Sequence, residues 1–131
     1  MGTVEPEKVL ESIEVIRRGM PSSLEEFKSM GLARDGIYKR LEFAIGLVLE
    51  GLAEMAREQG IMAISYGDVV ASLKERSLIP GDVAEKAAFL AQLREVLIYD
   101  YDLVNDEIAF RDMGEYLQFI EDVMAHLEGY G

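Results

Sequence analysis

The stretch LARDGIYKRLEFAIGLVLEGLAEMAREQ, residues 32–59, is the longest run of helical periodicity in the sequence. Apolar side chains recur along it every three or four residues, the spacing that places them on one face of an α-helix. The residues on that stripe are Ile37, Leu41, Ala44, Val48, Leu52 and Met55. Gly60 follows as a typical helix stop. The stretch therefore predicts one long helix against which other helices can pack.

Two glycines, Gly46 and Gly51, lie inside this predicted helix, where each costs ~1 kcal/mol relative to alanine. Small residues at these positions let a neighbouring element come close. The stretch also carries more apolar residues than a thin bundle needs, which favours an interface with a second copy of the chain.

Helical spacing continues upstream of this stretch. Pro6 suits the start of a first helix, which ends at Gly19. Ser23 with Glu26 forms a capping-box pattern, which predicts the start of a second, short helix.

Downstream, three further helices are predicted. A short helix around Val69 ends before Pro80, and the next helix begins at Gly81 or Asp82. Asn105 is a good N-cap for the last helix.

The run VLIYDYDL, residues 96–103, is β-branched and aromatic, so a strand competes with helix there. We predict a helix that runs into a loop, because no second strand is available for pairing. The whole pattern predicts an all-α, up-down bundle of five or six helices.

Composition excludes several classes of protein. The chain has 131 residues, 50% of them apolar, and its 25 acidic and 13 basic side chains give a net charge of −12. This length fits one domain, residues 1–131. The absence of cysteine excludes disulfides, a thiol nucleophile and thiolate zinc. The one histidine, His126, rules out a multi-histidine metal site and the Glu-x-x-His pairs of di-iron bundles, and we expect it to be solvated or to cap its helix.

Charge and hydropathy also bear on location and partners. The N-terminus lacks the basic start and apolar run of a leader peptide, and no apolar run reaches ~18 residues. We therefore predict a cytoplasmic protein without a membrane segment. The acidic balance argues against nonspecific nucleic-acid binding, because phosphate affinity comes mostly from lysine and arginine.

The segment LREVLIYDY, residues 93–101, holds the candidate functional residues. Arg94 has apolar neighbours, which predicts a partly buried guanidinium with a partner: a carboxylate, a helix C-terminus or a bound phosphate. Composition alone favours the carboxylate. On a continuing helix Arg94 and Tyr101, seven residues apart, would share a face, whereas Tyr99 would point away unless the helix loosens there.

Four segments together resemble the HepT-like members of the HEPN superfamily, ribonuclease toxins whose antitoxin partner is a minimal nucleotidyltransferase. They are SLEEF at 23–27, RLEFAI at 40–45, residues 66–80 and residues 89–101. The family signature is an arginine, often followed by asparagine, then a histidine five residues after the arginine and a tyrosine two further on. Arg94 and Tyr101 fill the first and last positions, whereas Glu95 and Tyr99 stand where the asparagine and the histidine would be.

The resemblance implies a HEPN-like helical homodimer that cleaves RNA through the neighbouring 2′-hydroxyl, without a metal or another cofactor. Arg94 would hold the phosphate at the dimer interface, and Tyr99 would occupy the acid–base position. Tyr101 would be the residue that the nucleotidyltransferase antitoxin modifies with adenylyl groups. It could equally be an aromatic anchor on the bundle face.

Tyr99 also opens a second hypothesis. A tyrosine has a pKa of ~10 and is a poor base at pH 7, and losing one acid–base group typically costs ~10²–10⁴ in rate. The alternative is therefore a catalytically inactive helical module that pairs with a nucleotidyltransferase, or binds nucleotide or RNA, without cleavage.

The charge around the motif also bears on RNA. Residues 94–107 contain one basic and five acidic side chains, so the net charge of this run is 1 − 5 = −4. An RNA-cleaving cleft is normally electropositive. The ordinary interpretation of these acids is that they form turns and the first turn of a helix at an exposed loop.

Overall fold

The structure, a computed structural model, describes residues 5–130 and contains no strand within them. Its six helices are α1 (Pro6–Gly19), α2 (Leu24–Ser29), α3 (Leu32–Glu58), α4 (Tyr66–Glu75), α5 (Gly81–Tyr99) and α6 (Asp106–Tyr130). A 3₁₀ turn, Tyr101–Leu103, lies between α5 and α6. The predicted all-α bundle is confirmed. None of the helices within residues 5–130 has the length and apolarity that crossing a bilayer requires.

Side-chain caps fix two helix starts where the sequence predicts them. The Ser23 Oγ accepts a hydrogen bond from the Glu26 backbone N–H at 3.2 Å. The Asn105 Oδ1 accepts one from the Ile108 backbone N–H at 3.0 Å. Each bond satisfies an N–H that has no partner inside its own helix, so both predicted starts are confirmed.

A third cap was missed in the sequence. The Ser65 Oγ accepts a hydrogen bond from the Asp68 backbone N–H at 3.1 Å, so α4 begins at Tyr66, upstream of Val69. The signal was present, because Ser-x-x-Asp has the spacing of a capping box. This earlier start brings the Tyr66 ring onto α4.

Helix α3 is the centre of the bundle and packs against α1, α4, α5 and α6. Its buried residues are Ile37, Tyr38, Leu41, Ala44, Ile45, Val48, Leu49, Gly51, Leu52, Ala53, Met55 and Ala56. The whole predicted apolar stripe is among them. Since four helices of the same chain cover α3, its apolar surplus is explained within one chain, and the homodimer stays a prediction.

The end of α5 corrects one expectation about the motif. The helix ends at Tyr99, and Asp100 leaves the helical conformation with φ −133° and ψ 42°. The prediction of a helix that runs into a loop is therefore confirmed. The face that Arg94 and Tyr101 would share on a continuing helix does not form, because the helix ends between them and Tyr101 turns towards α3.

Candidate functional site

A groove of about 1040 Å³ lies between α3, the α3–α4 loop, the start of α4 and α5. Its polar side chains are Glu50, Arg57, Ser65, Tyr66, Gln92, Arg94, Glu95 and Tyr99. Two of the three candidate residues of the motif, Arg94 and Tyr99, thus border the same space. They do so although five residues along a helix separate them.

Arg94 lies between two elements that leave room for its flat guanidinium. On one side its Cζ is 5.3 Å from the centroid of the Tyr66 ring, a cation–π contact. On the other side a Cβ added at Gly46 would be 3.4 Å from the Arg94 Nε. The predicted close approach at Gly46 is therefore confirmed, and the neighbour that comes close is Arg94.

The expected carboxylate partner of Arg94 is missing. Within residues 5–130 the guanidinium forms no ion pair, and its Nε is buried without a hydrogen-bond partner. The salt-bridge expectation is wrong, because the carboxylate of Glu50 on the same groove is already engaged. Arginine keeps its charge throughout the physiological range, so Arg94 offers the groove a positive charge with no acidic partner.

Glu50 is held by two other residues. Its Oε1 accepts a hydrogen bond from the Tyr66 hydroxyl at 2.8 Å, and its Oε2 accepts one from Arg57 Nη2 at 2.6 Å. The bond from Arg57, and to a lesser degree that from Tyr66, hold the pKa of Glu50 below its usual range despite burial. Burial and the bond to Glu50 raise the pKa of Tyr66. The ring beneath Arg94 is thus fixed by its own hydroxyl.

Tyr99 and Glu95 line the groove from the last turns of α5. The Tyr99 side chain is 73% exposed. Glu95, in the place of the family's asparagine, adds a negative charge to the same wall as Arg94.

The charge of the groove differs from the charge of the sequence run around the motif. Two arginines and two glutamates line the groove, so its charge is 2 − 2 = 0. Of the five acids between Arg94 and Glu107, only Glu95 lines it. Asp106 instead accepts hydrogen bonds from α3, and Glu107 pairs with Lys28 at 3.2 Å. The acidic run therefore lies mostly outside the groove.

Tyr101, the third candidate, belongs to a separate, smaller cavity of about 250 Å³. Its hydroxyl donates a hydrogen bond to Asp35 Oδ1 at 2.5 Å, and its ring meets the Tyr38 ring edge-to-face at 5.8 Å. Burial, and then the bond to Asp35, raise the pKa of Tyr101. The structure thus separates Tyr101 from the groove of Arg94 and Tyr99. Its ring is an aromatic anchor against Tyr38, and its role as a modified residue stays a prediction.

The anchor extends to the start of α6. Asp106 Oδ1 accepts a hydrogen bond from the Tyr38 hydroxyl at 2.6 Å, and its Oδ2 accepts one from Arg34 Nη1 at 3.0 Å. Arg34 also donates to the Lys28 carbonyl at 2.9 Å. These bonds tie the first turn of α6 to the beginning of α3.

The family model of the HepT-like ribonucleases matches residues 9–127. The chain belongs to the HepT-like ribonuclease family. HEPN superfamily membership follows, and the resemblance seen in the sequence is confirmed. A solved structure from Thermus thermophilus shares this HepT-like chain's fold, with a TM-score of 0.65 and 17% identity over 91% of this chain and 98% of that one. The comparison with curated proteins gives no match.

The histidine of this HepT-like protein lies away from the motif. His126 is half-buried in α6, and its Nε2 is buried without a hydrogen-bond partner. The expectation of a solvated or helix-capping side chain is not met at that nitrogen. Within residues 5–130 no group of three acidic or histidine side chains is placed to hold a metal ion.

Tyr38 should make the HepT-like fold less stable at alkaline pH. Burial and the bond to Asp106 raise the pKa of Tyr38 above its usual 10.0. At a pH between the usual tyrosine pKa of the unfolded chain and the raised pKa of the folded chain, Tyr38 is deprotonated only in the unfolded chain. The unfolded chain then binds fewer protons than the folded chain, so the free energy of unfolding falls as pH rises.

The expected contribution of Tyr38 is a fall of about 1.4 kcal/mol per pH unit above pH ~10. Urea denaturation gives the free energy of unfolding of the wild type and of Tyr38→Phe at each pH in this range. Because the other groups titrate in both proteins, the difference between the two slopes against pH is the contribution of Tyr38. Parallel pH dependences in the two proteins would contradict it.

Proposed function

We propose that this protein is the toxin component of a cytoplasmic toxin–antitoxin pair and cleaves RNA in the groove without a metal ion. The observation that carries the proposal is the Arg94 guanidinium, which borders the groove without an ion pair. A phosphodiester supplies the anionic partner that this arginine lacks, and arginine can bind it through two parallel hydrogen bonds.

The proposed reaction needs no group beyond the RNA and the protein. The 2′-hydroxyl oxygen attacks the adjacent phosphorus, its proton passes to water, and the bond from phosphorus to the 5′-oxygen breaks. Arg94 stabilises the negative charge that develops on the phosphoryl oxygens. The Tyr99 hydroxyl donates its proton to the leaving 5′-oxygen and regains a proton from water. Because no histidine lines the groove, we expect slow turnover.

A homodimer belongs to the same proposal. Two copies that meet at the groove would place two Arg94 side chains near one phosphate. The apolar Met62 and Ile64 on the groove's rim are 98% and 97% exposed, which suits contact with a partner surface.

Regulation in this proposal acts at Tyr101. A minimal nucleotidyltransferase antitoxin would transfer an adenylyl group from ATP to the Tyr101 oxygen, releasing pyrophosphate, and the phenolic proton would leave through Asp35. The hydroxyl's bond to Asp35 and the side chain's 39% exposure support this role. The test incubates the partner with ATP labelled at the α-phosphate and with either the wild type or Tyr101→Phe. Labelling of Tyr101→Phe to the same extent as the wild type would contradict the role of Tyr101.

The test of RNA cleavage uses purified, folded protein with single-stranded RNA in excess EDTA. We expect slow cleavage that leaves 2′,3′-cyclic phosphate ends, because the 2′-oxygen is the nucleophile. Circular dichroism and sedimentation establish that the protein is folded and report its oligomeric state. Cleavage that requires added Mg²⁺ would contradict the proposed chemistry.

A second candidate function is a binding module that holds RNA or nucleotide without cleaving it. Tyr99 in the histidine position and the zero net charge of the groove lining favour it. Complete absence of cleavage by folded protein that still binds RNA would support this candidate over the first.

A further inference from the structure

The strongest feature that the proposed function leaves unexplained is the isolation of the Tyr99 ring. Every other aromatic side chain within residues 5–130 has a ring contact, a cation–π contact or a hydrogen bond. These residues are Phe27, Tyr38, Phe43, Tyr66, Phe89, Phe110, Tyr101, Tyr116, Phe119 and Tyr130. Tyr99 has none of these contacts and is the most exposed aromatic residue among them. The ring therefore contributes little to the stability of the chain.

The position of the ring indicates what could use it. Tyr99 lines the same groove as Arg94, together with the exposed apolar side chains Met62 and Ile64. An exposed aromatic face near an unpaired guanidinium is the pattern by which proteins bind single-stranded nucleic acid: bases stack on the ring while the cation holds the backbone. A protein partner would need an anion at Arg94 as well, whereas RNA supplies both groups in each nucleotide.

We propose that the Tyr99 ring is a stacking platform for an unpaired base, so that the groove selects single-stranded RNA over duplex. In a duplex both faces of a base are covered by its neighbours, so no face is left for Tyr99. This inference rests on the proposed function, because it takes RNA as the ligand. Stacking uses the ring face, whereas proton donation uses the hydroxyl, so one residue can serve both.

The two uses of Tyr99 predict different behaviour of two variants. Tyr99→Phe keeps the ring face and loses only the hydroxyl, so it should retain most of the wild type's affinity for single-stranded RNA. Tyr99→Ala should bind it about 10- to 100-fold more weakly, the effect typical of losing one stacked aromatic. Since Tyr99 is 73% exposed and its ring has no aromatic, cation–π or hydrogen-bond partner within residues 5–130, we expect neither variant to change the melting temperature by more than a degree or two.

Binding is measured by fluorescence anisotropy with a labelled 2′-O-methyl RNA, in which the nucleophilic hydroxyl is blocked. The same strand annealed to its complement is the duplex probe, which we expect to bind more weakly and to be insensitive to Tyr99→Ala. Leu103→Ala is the matched control, because Leu103 is 75% exposed and does not line the groove. It should leave the affinity unchanged.

The outcomes separate this inference from the proposed function. If Tyr99→Ala binds as the wild type does while Arg94→Ala loses affinity, the stacking role is wrong and RNA remains the ligand. If the wild type binds neither probe, the proposed function fails and the inference with it. If Tyr99→Ala alters the sedimentation mass but not the affinity per protomer, the ring belongs to a protein interface and the stacking role is overturned.

Discussion

Replacing Tyr99 with histidine is expected to raise the rate of RNA cleavage by about 10²–10⁴-fold at neutral pH, the usual contribution of one acid–base group. Histidine has a pKa of ~6.5 and exchanges protons readily near pH 7, whereas tyrosine stays protonated there. The substitution should not disturb the fold, because the Tyr99 side chain is 73% exposed. Initial rates in EDTA, measured from about pH 5 to 9, give the effect and should show a new titration near the histidine pKa.

The controls for Tyr99→His separate a catalytic group from an added histidine. Leu103→His places an imidazole on the nearby 3₁₀ turn, outside the groove, and should not accelerate cleavage. Adding Arg94→Ala to Tyr99→His should remove the gain. A folded Tyr99→His protein that cleaves no faster than the wild type would show that this position does not serve as an acid–base site.

Replacing Arg94 with alanine is expected to lower the rate of RNA cleavage by about 10²–10³-fold, the loss seen when one group that stabilises a developing negative charge is removed. The guanidinium has no ion pair within residues 5–130, so its charge is available to a phosphate. The measurement is the rate of cleavage in EDTA beside a thermal unfolding curve. The unfolding curve reports the packing lost against the Tyr66 ring.

A second arginine offers a matched control for this packing. Arg40 lies over the Phe43 ring at 5.9 Å, much as Arg94 lies over Tyr66 at 5.3 Å, but it does not line the groove. Arg40→Ala should therefore leave cleavage unchanged. Arg94→Lys keeps the charge but loses the two-pronged geometry, so an intermediate rate is expected. Equal cleavage by Arg94→Ala and the wild type would contradict the proposed role.

The helices could be predicted closely because their signals are local. The Ser23 and Asn105 caps act on N–H groups three residues away, and a helical stripe repeats within one or two turns. The cap at Ser65 has the same spacing and was overlooked, so that error lies in the interpretation and not in the sequence. The family followed from the same kind of information, since it depends on residue types at fixed spacing.

The arrangement of the candidate site was predicted only in part. Arg94 and Tyr99 do share a groove, but the expected salt bridge of Arg94 is wrong, and the face that Arg94 and Tyr101 would share on a continuing helix does not form. The final partners are distant in sequence: Glu50 is bound by Arg57 and Tyr66, and the hydroxyl of Tyr101 bonds to Asp35, which is 66 residues away. The charge of the groove was misjudged for the same reason, because a count along the chain includes acids that fold away from it.

The sequence by itself therefore determined the helical type of the elements, the family and the identity of the arginine that faces the groove. Only the tertiary structure decided which charged side chains of the groove are engaged by a partner and which can bind a ligand. Glu50 is bound to Tyr66 and Arg57, so it is unavailable to Arg94, whose side chain fits against α3 where Gly46 has no Cβ. The physical reason is that helix formation depends on neighbours within about four residues, whereas the freedom of a charge depends on every group that folding brings to within a few ångströms of it.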